Sequence, residues 1–467
     1  MTVSIPFDNT FAQLPDVFYT KQSPVAVKAP HLLAFNSELA DELNITADRE
    51  DALADVFSGN ALPDGADPLA QLYSGHQFGN YNPQLGDGRA ILLGEVIDLN
   101  GQRRDIQLKG AGRTPYSRGG DGRAWLGPVL REFVVSEAMH ALGIPTTRAL
   151  AAVTTGETVW RESGFPGAVL TRVAKSHLRV GTFQIYAARN QIDALKQLTQ
   201  YAIARHYPEA EGPMGLLRAV RDAQVDLIAG WLSVGFIHGV MNTDNSSIAG
   251  ETIDYGPCAF MDDYHPQQVF SSIDRMGRYA YSNQPDIAVW NLAQLATALI
   301  QQYEDPESVL EEATEIVHSM PRLLDDARLR RFAAKIGISQ CQDGDADLVR
   351  DLLQQMSNET CDFTNTFRDL SKGNVSDKIS KDWQERWRQR LLSEPDAHRV
   401  MKLANPAFIA RNHLVEQMIS SALEGDLLPF NRLMTALRHP YEDQQEFADL
   451  QKPPEPEQRV EATFCGT

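Results

Sequence analysis

Strand patterns in this chain stop early. The apolar runs "RAILLGEVID", "RRDIQLK", "TRALAAVTT" and "PGAVLTRVA" all precede residue 175. Beyond Pro285 nearly every segment follows a helical period to about residue 445. Asn100-Gly101 joins the first two strands as a hairpin. A helix from about Gly127 to Leu142 interrupts the strands and stops at "LGIP", with Gly143 as cap and Pro145 as breaker. "IDALKQLTQYAIARHY" and "GLLRAVRDAQVDLIAGWLSVG" then read as helices, the second with Leu217, Val220, Leu227 and Trp231 near one stripe. Strands first and helices after predict an α+β chain, a sheet-rich lobe above a helical lobe with the ligand between them. At 467 residues the chain is too long for one compact core. The expected divisions are an N-terminal extension (1–70), a sheet-rich unit (71–172), a helical unit (173–300), a further helical region (301–450) and an exposed Pro-rich tail (451–467).

Charge narrows the function. A net charge of −19 argues against nucleic acid as the main partner, because a phosphate backbone is bound by Lys and Arg. Yet between Gly101 and Arg131 seven basic residues (Arg103, Arg104, Lys109, Arg113, Arg118, Arg123, Arg131) face only Asp105 and Asp121. A small anionic ligand and a solvated basic face both account for that stretch. No run approaches the ~18 apolar residues of a membrane span. The N-terminus lacks a signal or transit pattern, so a cytoplasmic protein is expected. The four cysteines show no CxxC spacing, which argues against zinc and suits a reducing compartment.

Several residues could carry chemistry. Lys109 ends a strand, and the helix that follows carries Glu132 and Glu137 on opposite faces. A strand lysine tied to a helix glutamate is how protein kinases hold ATP phosphates. "LGDGR" places Gly86 and Gly88 ahead of a strand with Arg89 at its start, suited to phosphate or to a plain hairpin turn. "GGDGR" (119–123) repeats that composition. Arg172 and Arg179 are seven apart, and on a helix they would share one side and clamp a polyphosphate. In "GVMNTDNSSIAGETIDYGPCAF" (239–260), Asp244-Asn245 and Asp254 flank what reads as one tight β-turn. A solvated hairpin does not need that arrangement, whereas a magnesium–nucleotide site does. "FIHGVMNTDN" matches the kinase catalytic loop HRDxxxxN at His238 and Asn245, and "IDYG" stands at the distance of DFG. Val240 occupies the position of the HRD base and cannot accept a proton, while Asp244 is the nearest carboxylate.

The chain resembles the selenoprotein O family of pseudokinase-fold protein adenylyltransferases over most of its length. The resemblance is carried by "YSGHQFGNYNPQLGDGRA", "LKGAGRTPYSRGGDGRA", "REFVVSEAMHALGIPTTRAL", "FIHGVMNTDN" and "IDYGPCAFMDDY". It implies a kinase-like bilobal fold with a helical C-terminal extension. It also implies ATP bound in a flipped orientation, and transfer of AMP to Ser, Thr or Tyr hydroxyls of protein substrates. Residue by residue, it implies nucleotide contacts at Gly86, Gly88, Arg89, Asp121 and Gly122, and phosphate contacts at Lys109, Arg172 and Arg179. Glu132, in "REF", is the implied lysine partner, and Asp244 the proton acceptor. Asn245 and Asp254 are the implied ligands of Mg2+ or Mn2+. A regulatory Cys258–Cys465 bridge is implied as well. A kinase-like phosphotransferase, a UMP transferase and a non-catalytic nucleotide-binding pseudokinase are the alternatives.

Overall fold

The computed structural model describes residues 3–464. Its strands are β1 (Val3–Ser4), β2 (Tyr19–Lys21), β3 (His31–Phe35), β4 (Thr46–Ala47), β5 (Leu69–Gln71), β6 (Gly75–Gln77), β7 (Asn80–Asn82), β8 (Ala90–Ile97), β9 (Arg103–Lys109), β10 (Ala124–Trp125), β11 (Arg148–Trp160) and β12 (Gly164–Ala174). The short pair β13 (Phe236–Ile237) and β14 (Ala259–Phe260) follows much later. The main sheet has eight strands in the order β2-β5-β8-β9-β12-β11-β3, with β10 alongside β12. Every pair in it is antiparallel. Both of its edges, β2 and β3, come from residues 1–70.

The sheet is covered on both faces, which is why β8 reads as an unbroken apolar run with hardly any alternation. On one face helices α1 (Ser37–Glu42) and α2 (Glu50–Ser58) enclose a core of Leu53, Phe57, Ile91, Leu93, Ile106 and Leu108. On the other, α3 (Leu126–Ala141) sets Leu130, Phe133 and Val134 in the core with Leu92, Ala152 and Leu170. That second core continues into the helical layers: α4 (Val180–Ala188), α5 (Ile192–His206), α6 (Gly212–Ser233), α7 (Gln284–Leu299) and α8 (Leu310–Lys335). Among the described residues no helix is long and apolar enough to cross a membrane.

Three local points are decided by the structure. Arg172 and Arg179 do not share a helix: Arg172 lies within β12, and Arg179 is the extended cap before α4. The segment "AVLTRV" pairs with β9 on one side and β11 on the other, and those two ladders outweigh any helical spacing. Residues 239–260 are not a hairpin around one tight turn. Only Phe236–Ile237 and Ala259–Phe260 pair, and the stretch between them bridges outward, Ser247 to Arg179 and Thr252 to Thr146. The loop is thereby fastened to two other elements, so its acidic residues are fixed. The Pro-rich tail is exposed over most of 452–461 and is anchored just beyond. Thr463 is buried, its hydroxyl donates to the Pro257 carbonyl at 2.5 Å, and its N–H donates to the Phe270 carbonyl at 2.7 Å.

Candidate active site

Gln107 and Lys109, two apart on β9, point the same way, and register places Arg172 of β12 opposite Gln107. All three side chains therefore project toward α3. Lys109 Nζ donates to Glu132 Oε2 at 2.6 Å and to Asp254 Oδ1 at 2.7 Å. Arg172 donates to Gln107 at 2.6 Å, to Asp254 Oδ1 at 2.7 Å and to Glu132 Oε1 at 3.3 Å. Arg179 adds a third cation, 3.6 Å from Asp254 Oδ2, with its guanidinium 4.3 Å from the Tyr73 ring centre. Glu137 serves elsewhere, accepting from Arg148 and from Asn36 on the far side of α3.

Asp254 is the meeting point. Burial alone would raise its pKa, but Lys109, Arg172 and Arg179 hold the carboxyl well below the usual range. Its backbone has φ +63°, the left-handed region that few non-glycine residues enter. His238 helps to hold it there. The ring accepts the Val240 N–H at Nδ1 (3.3 Å) and donates from Nε2 to the Ile253 carbonyl (2.9 Å), tying the two acidic loops together. Burial pushes the imidazole pKa down, in keeping with that neutral tautomer.

Asp244 belongs to a short 3-10 turn, Thr243–Asn245, and is only 8% exposed. Gln77 donates to its Oδ2 at 3.1 Å, while Oδ1 is buried without a hydrogen-bond partner. Burial pushes its pKa up to about 6. The approach is tight, because a Cβ on Gly75 would lie 2.7 Å from Oδ1. Asn245 donates its amide N–H to the Val240 carbonyl at 3.0 Å, which turns the amide oxygen away from that contact.

These groups share one cavity of about 430 Å³. Gly86, Gly88, Arg89, Lys109, Asp121, Gly122, Arg172, Arg179, Asp244, Asn245 and Asp254 all line it, whereas Glu132 stands behind Lys109 and lines an adjoining cavity. Gly88 and Gly122 are required by close contact: a Cβ on either would fall 2.9 Å from the Tyr116 carbonyl oxygen or 2.1 Å from that of Gly112. Asp121 reaches the cavity wall with its carboxylate already engaged, accepting from Arg161 at 2.8 and 3.1 Å. Of the seven basic residues between 101 and 131, Lys109, Arg118 and Arg123 line the cavity. Arg103 and Arg104 serve Asp8 and Asp98 at the other end of β9, and Arg131 pairs with Glu416. Cys258 is buried, with its thiol pushed up to about 12 by that burial. The expected bridge to Cys465 lies outside the described residues.

A family model described as protein adenylyltransferase SelO matches residues 1–438. The chain belongs to this family. It is similar over its whole length, and over theirs, to several curated relatives. They include the protein nucleotidyltransferase YdiU of Ruegeria sp. (strain TM1040) at 69% identity, that of Jannaschia sp. (strain CCS1) at 56%, and that of Rhodopseudomonas palustris (strain BisB18) at 53%. The SelO chain is accordingly a nucleotidyltransferase.

The sequence reading missed some of the cavity of this SelO member. Tyr73 under Arg179, Gln77 on Asp244, and Asp87 were not singled out. The buried Asp87 carboxylate accepts from Gln71 and Gln107 at 3.1 Å and stands 3.9 Å from Arg179. All three fall in the string "YSGHQFGNYNPQLGDGRA". Their signal was a polar, glycine-rich stretch lacking any strand or helix period.

Proposed function

We propose that this cavity binds ATP with a divalent cation and transfers AMP to a Ser, Thr or Tyr hydroxyl of a protein acceptor, releasing pyrophosphate. The observation that carries the reading is the convergence of Lys109, Arg172 and Arg179 on Asp254, beside Asp244 and Asn245, in one cavity. Three cations within reach of one carboxylate suit a polyphosphate, which exchanges for that carboxylate as their partner. Gly86, Gly88, Arg89, Asp121 and Gly122 form the wall along which the rest of the nucleotide lies, and Glu132 holds Lys109 in place. The architecture fits a kinase-like bilobal arrangement. Its sheet-rich lobe covers 71–172, completed at its edges by residues 1–70, and its helical lobe covers 173–300. The region 301–450 forms a helical extension, and the expected setting is cytoplasmic.

The residues present fit a hard cation. Asp254, the Asn245 amide and the unpartnered Asp244 oxygen are oxygen donors lining one cavity. A hard cation in such a site takes its remaining ligands from phosphate and water. Asn245 and Asp254 would hold Mg2+ or Mn2+, which supplies charge neutralisation on the phosphates. The chain's own residues do the rest. Asp244 accepts the acceptor's proton as the hydroxyl oxygen bonds to the α-phosphorus. The bond to the pyrophosphate oxygen breaks, and the leaving group departs with the electron pair toward Lys109, Arg172 and Arg179. General-base assistance of this kind contributes about 10²–10⁴-fold. Val240, at the position of a kinase's catalytic aspartate, weighs against the phosphotransferase alternative, and the full cation set weighs against a purely scaffolding pseudokinase. ATP labelled on the α- or γ-phosphate tests the assignment: protein-bound α label supports adenylyl transfer, γ label supports phosphotransfer, and neither leaves a pseudokinase. UTP labelled on the α-phosphate tests the UMP variant.

A further inference from the structure

Asp244 lines the cavity and is almost fully buried, so an acceptor hydroxyl must be carried in through the cavity entrance on a protruding or extended segment. The loop 271–277 stands at that entrance. Ile273 lines the cavity and is 53% exposed, and Met276, three residues on, is 93% exposed. Scattered surface apolar residues are ordinary. This pair differs because its loop is built rigidly and wired to the site. The buried Asp274 carboxylate accepts the N–H groups of Arg278 (2.9 Å) and Tyr279 (2.7 Å), and the turn closes through Gly277 at φ +65°. Tyr279 then donates its hydroxyl to Asn242 at 2.6 Å, two residues before Asp244. Behind the loop, the Ser272 N–H donates to the Thr463 carbonyl at 3.0 Å, and Phe464 beyond it is 72% exposed. The backbone that presents these two exposed apolar side chains is thus hydrogen-bonded to the loop that carries the proton acceptor.

From this we infer that loop 271–277 is a docking lip for the acceptor polypeptide, selecting an extended segment with a bulky apolar residue next to the hydroxyl-bearing one. The inference rests on the adenylyl-transfer reading and specifies its substrate class. Continuity of Ile273 with the reaction cavity argues for the acceptor chain as the occupant. The rigid attachment of the loop to Asn242 explains how contact at Met276 would register the hydroxyl against Asp244. A single apolar contact of this sort discriminates by about tenfold.

The test uses the full chain, Mg2+, α-labelled ATP, and paired synthetic peptides in an alanine–lysine background. Each carries one Ser, Thr or Tyr followed by either Leu or Asn. The wild-type chain is expected to favour the Leu peptides about tenfold in kcat/KM, through KM. Met276→Ser should bring the two series to parity while ATP affinity stays unchanged, and Ile273→Ser should reduce the same preference. Equal use of both series by the wild type, a preference that survives in Met276→Ser, or label confined to the chain's own hydroxyls would overturn the docking lip alone. No α label on any hydroxyl would overturn the transfer reading and the lip with it.

Discussion

Two buried cations in this molecule live under opposite conditions. Arg172, in the cavity wall, has a side chain only 2% exposed and is compensated by Asp254, Glu132 and the side-chain amide oxygen of Gln107. Lys335, at the end of α8, is 1% exposed and packs its ammonium 5.4 and 4.5 Å from the Phe363 and Phe367 ring centres. The ammonium donates one long hydrogen bond, 3.5 Å to the Ala404 carbonyl, and makes no ion pair with a carboxylate among the described residues. Burial consequently lowers its pKa to about 7, whereas Arg172 stays firmly charged. The cavity thus gathers charges that balance one another and can change partners. The helical region tolerates an uncompensated one, held by cation–π contact and packing. Arg411 shows that the helical region can also build the first kind. Fully buried, it donates to Asp262 at 2.5 Å and to Asp362 at 2.8 and 3.1 Å, while Asn412 donates to the Phe260 carbonyl at 3.1 Å. Helix Asn412–Leu423 thereby grips the segment that follows Asp254.

The largest effect that would break this contrast is expected at its centre. Asp254→Ala should lower AMP transfer by on the order of 10³-fold or more, measured with α-labelled ATP, because it removes the cation ligand and the group that balances three positive charges. Transfer that persists would remove the assignment. Next, Arg411→Met should destabilise the chain by about 3 kcal/mol in denaturant unfolding, since Asp262 and Asp362, both half-buried, lose the cation they share. Lys335→Met should act in the opposite direction, stabilising by about 1–3 kcal/mol at pH 7. The folded pKa of Lys335 lies below its ordinary value. Between the two the unfolded chain binds the extra proton, so stability climbs as pH rises above about 7, and below that the penalty is complete. Melting curves from about pH 6 to 9 should show that climb in the wild type and a smaller one in Lys335→Met. The smallest effect separates the two glutamates of α3. Glu132→Gln should cost about tenfold in transfer by loosening Lys109, and Glu137→Gln should leave transfer near wild type because its partners are Arg148 and Asn36.

What could be seen in the sequence was what depends on local period. The strands of β8, β9, β11 and β12 and helices α3, α5 and α6 were legible because each repeats every two or about 3.6 residues. The order of Lys109, Glu132, Asn245 and Asp254 was legible because their spacing is long and unusual. Arg172 and Arg179 would share a side only on a helix; the strand read at 166–174 holds instead, and the two meet through ladder pairing of β12 and the cap before α4. Tyr73, Gln77 and Asp87 stayed hidden because their roles arise from packing against Arg179 and Asp244, which are far away along the chain. Distance likewise concealed Arg411 and Glu416, whose partners Asp262 and Arg131 are 149 and 285 residues earlier.

The left-handed backbone at Asp254 has a bearing on how this position can drift. Asparagine tolerates that conformation equally well but arrives without charge, so the three cations around it would lose the one carboxylate they share. Glutamate keeps the charge yet is disfavoured by the backbone and reaches one carbon too far. Glycine suits the backbone and supplies no oxygen. Stereochemistry and electrostatics each leave a small set of admissible residues here, and the two sets share a single member.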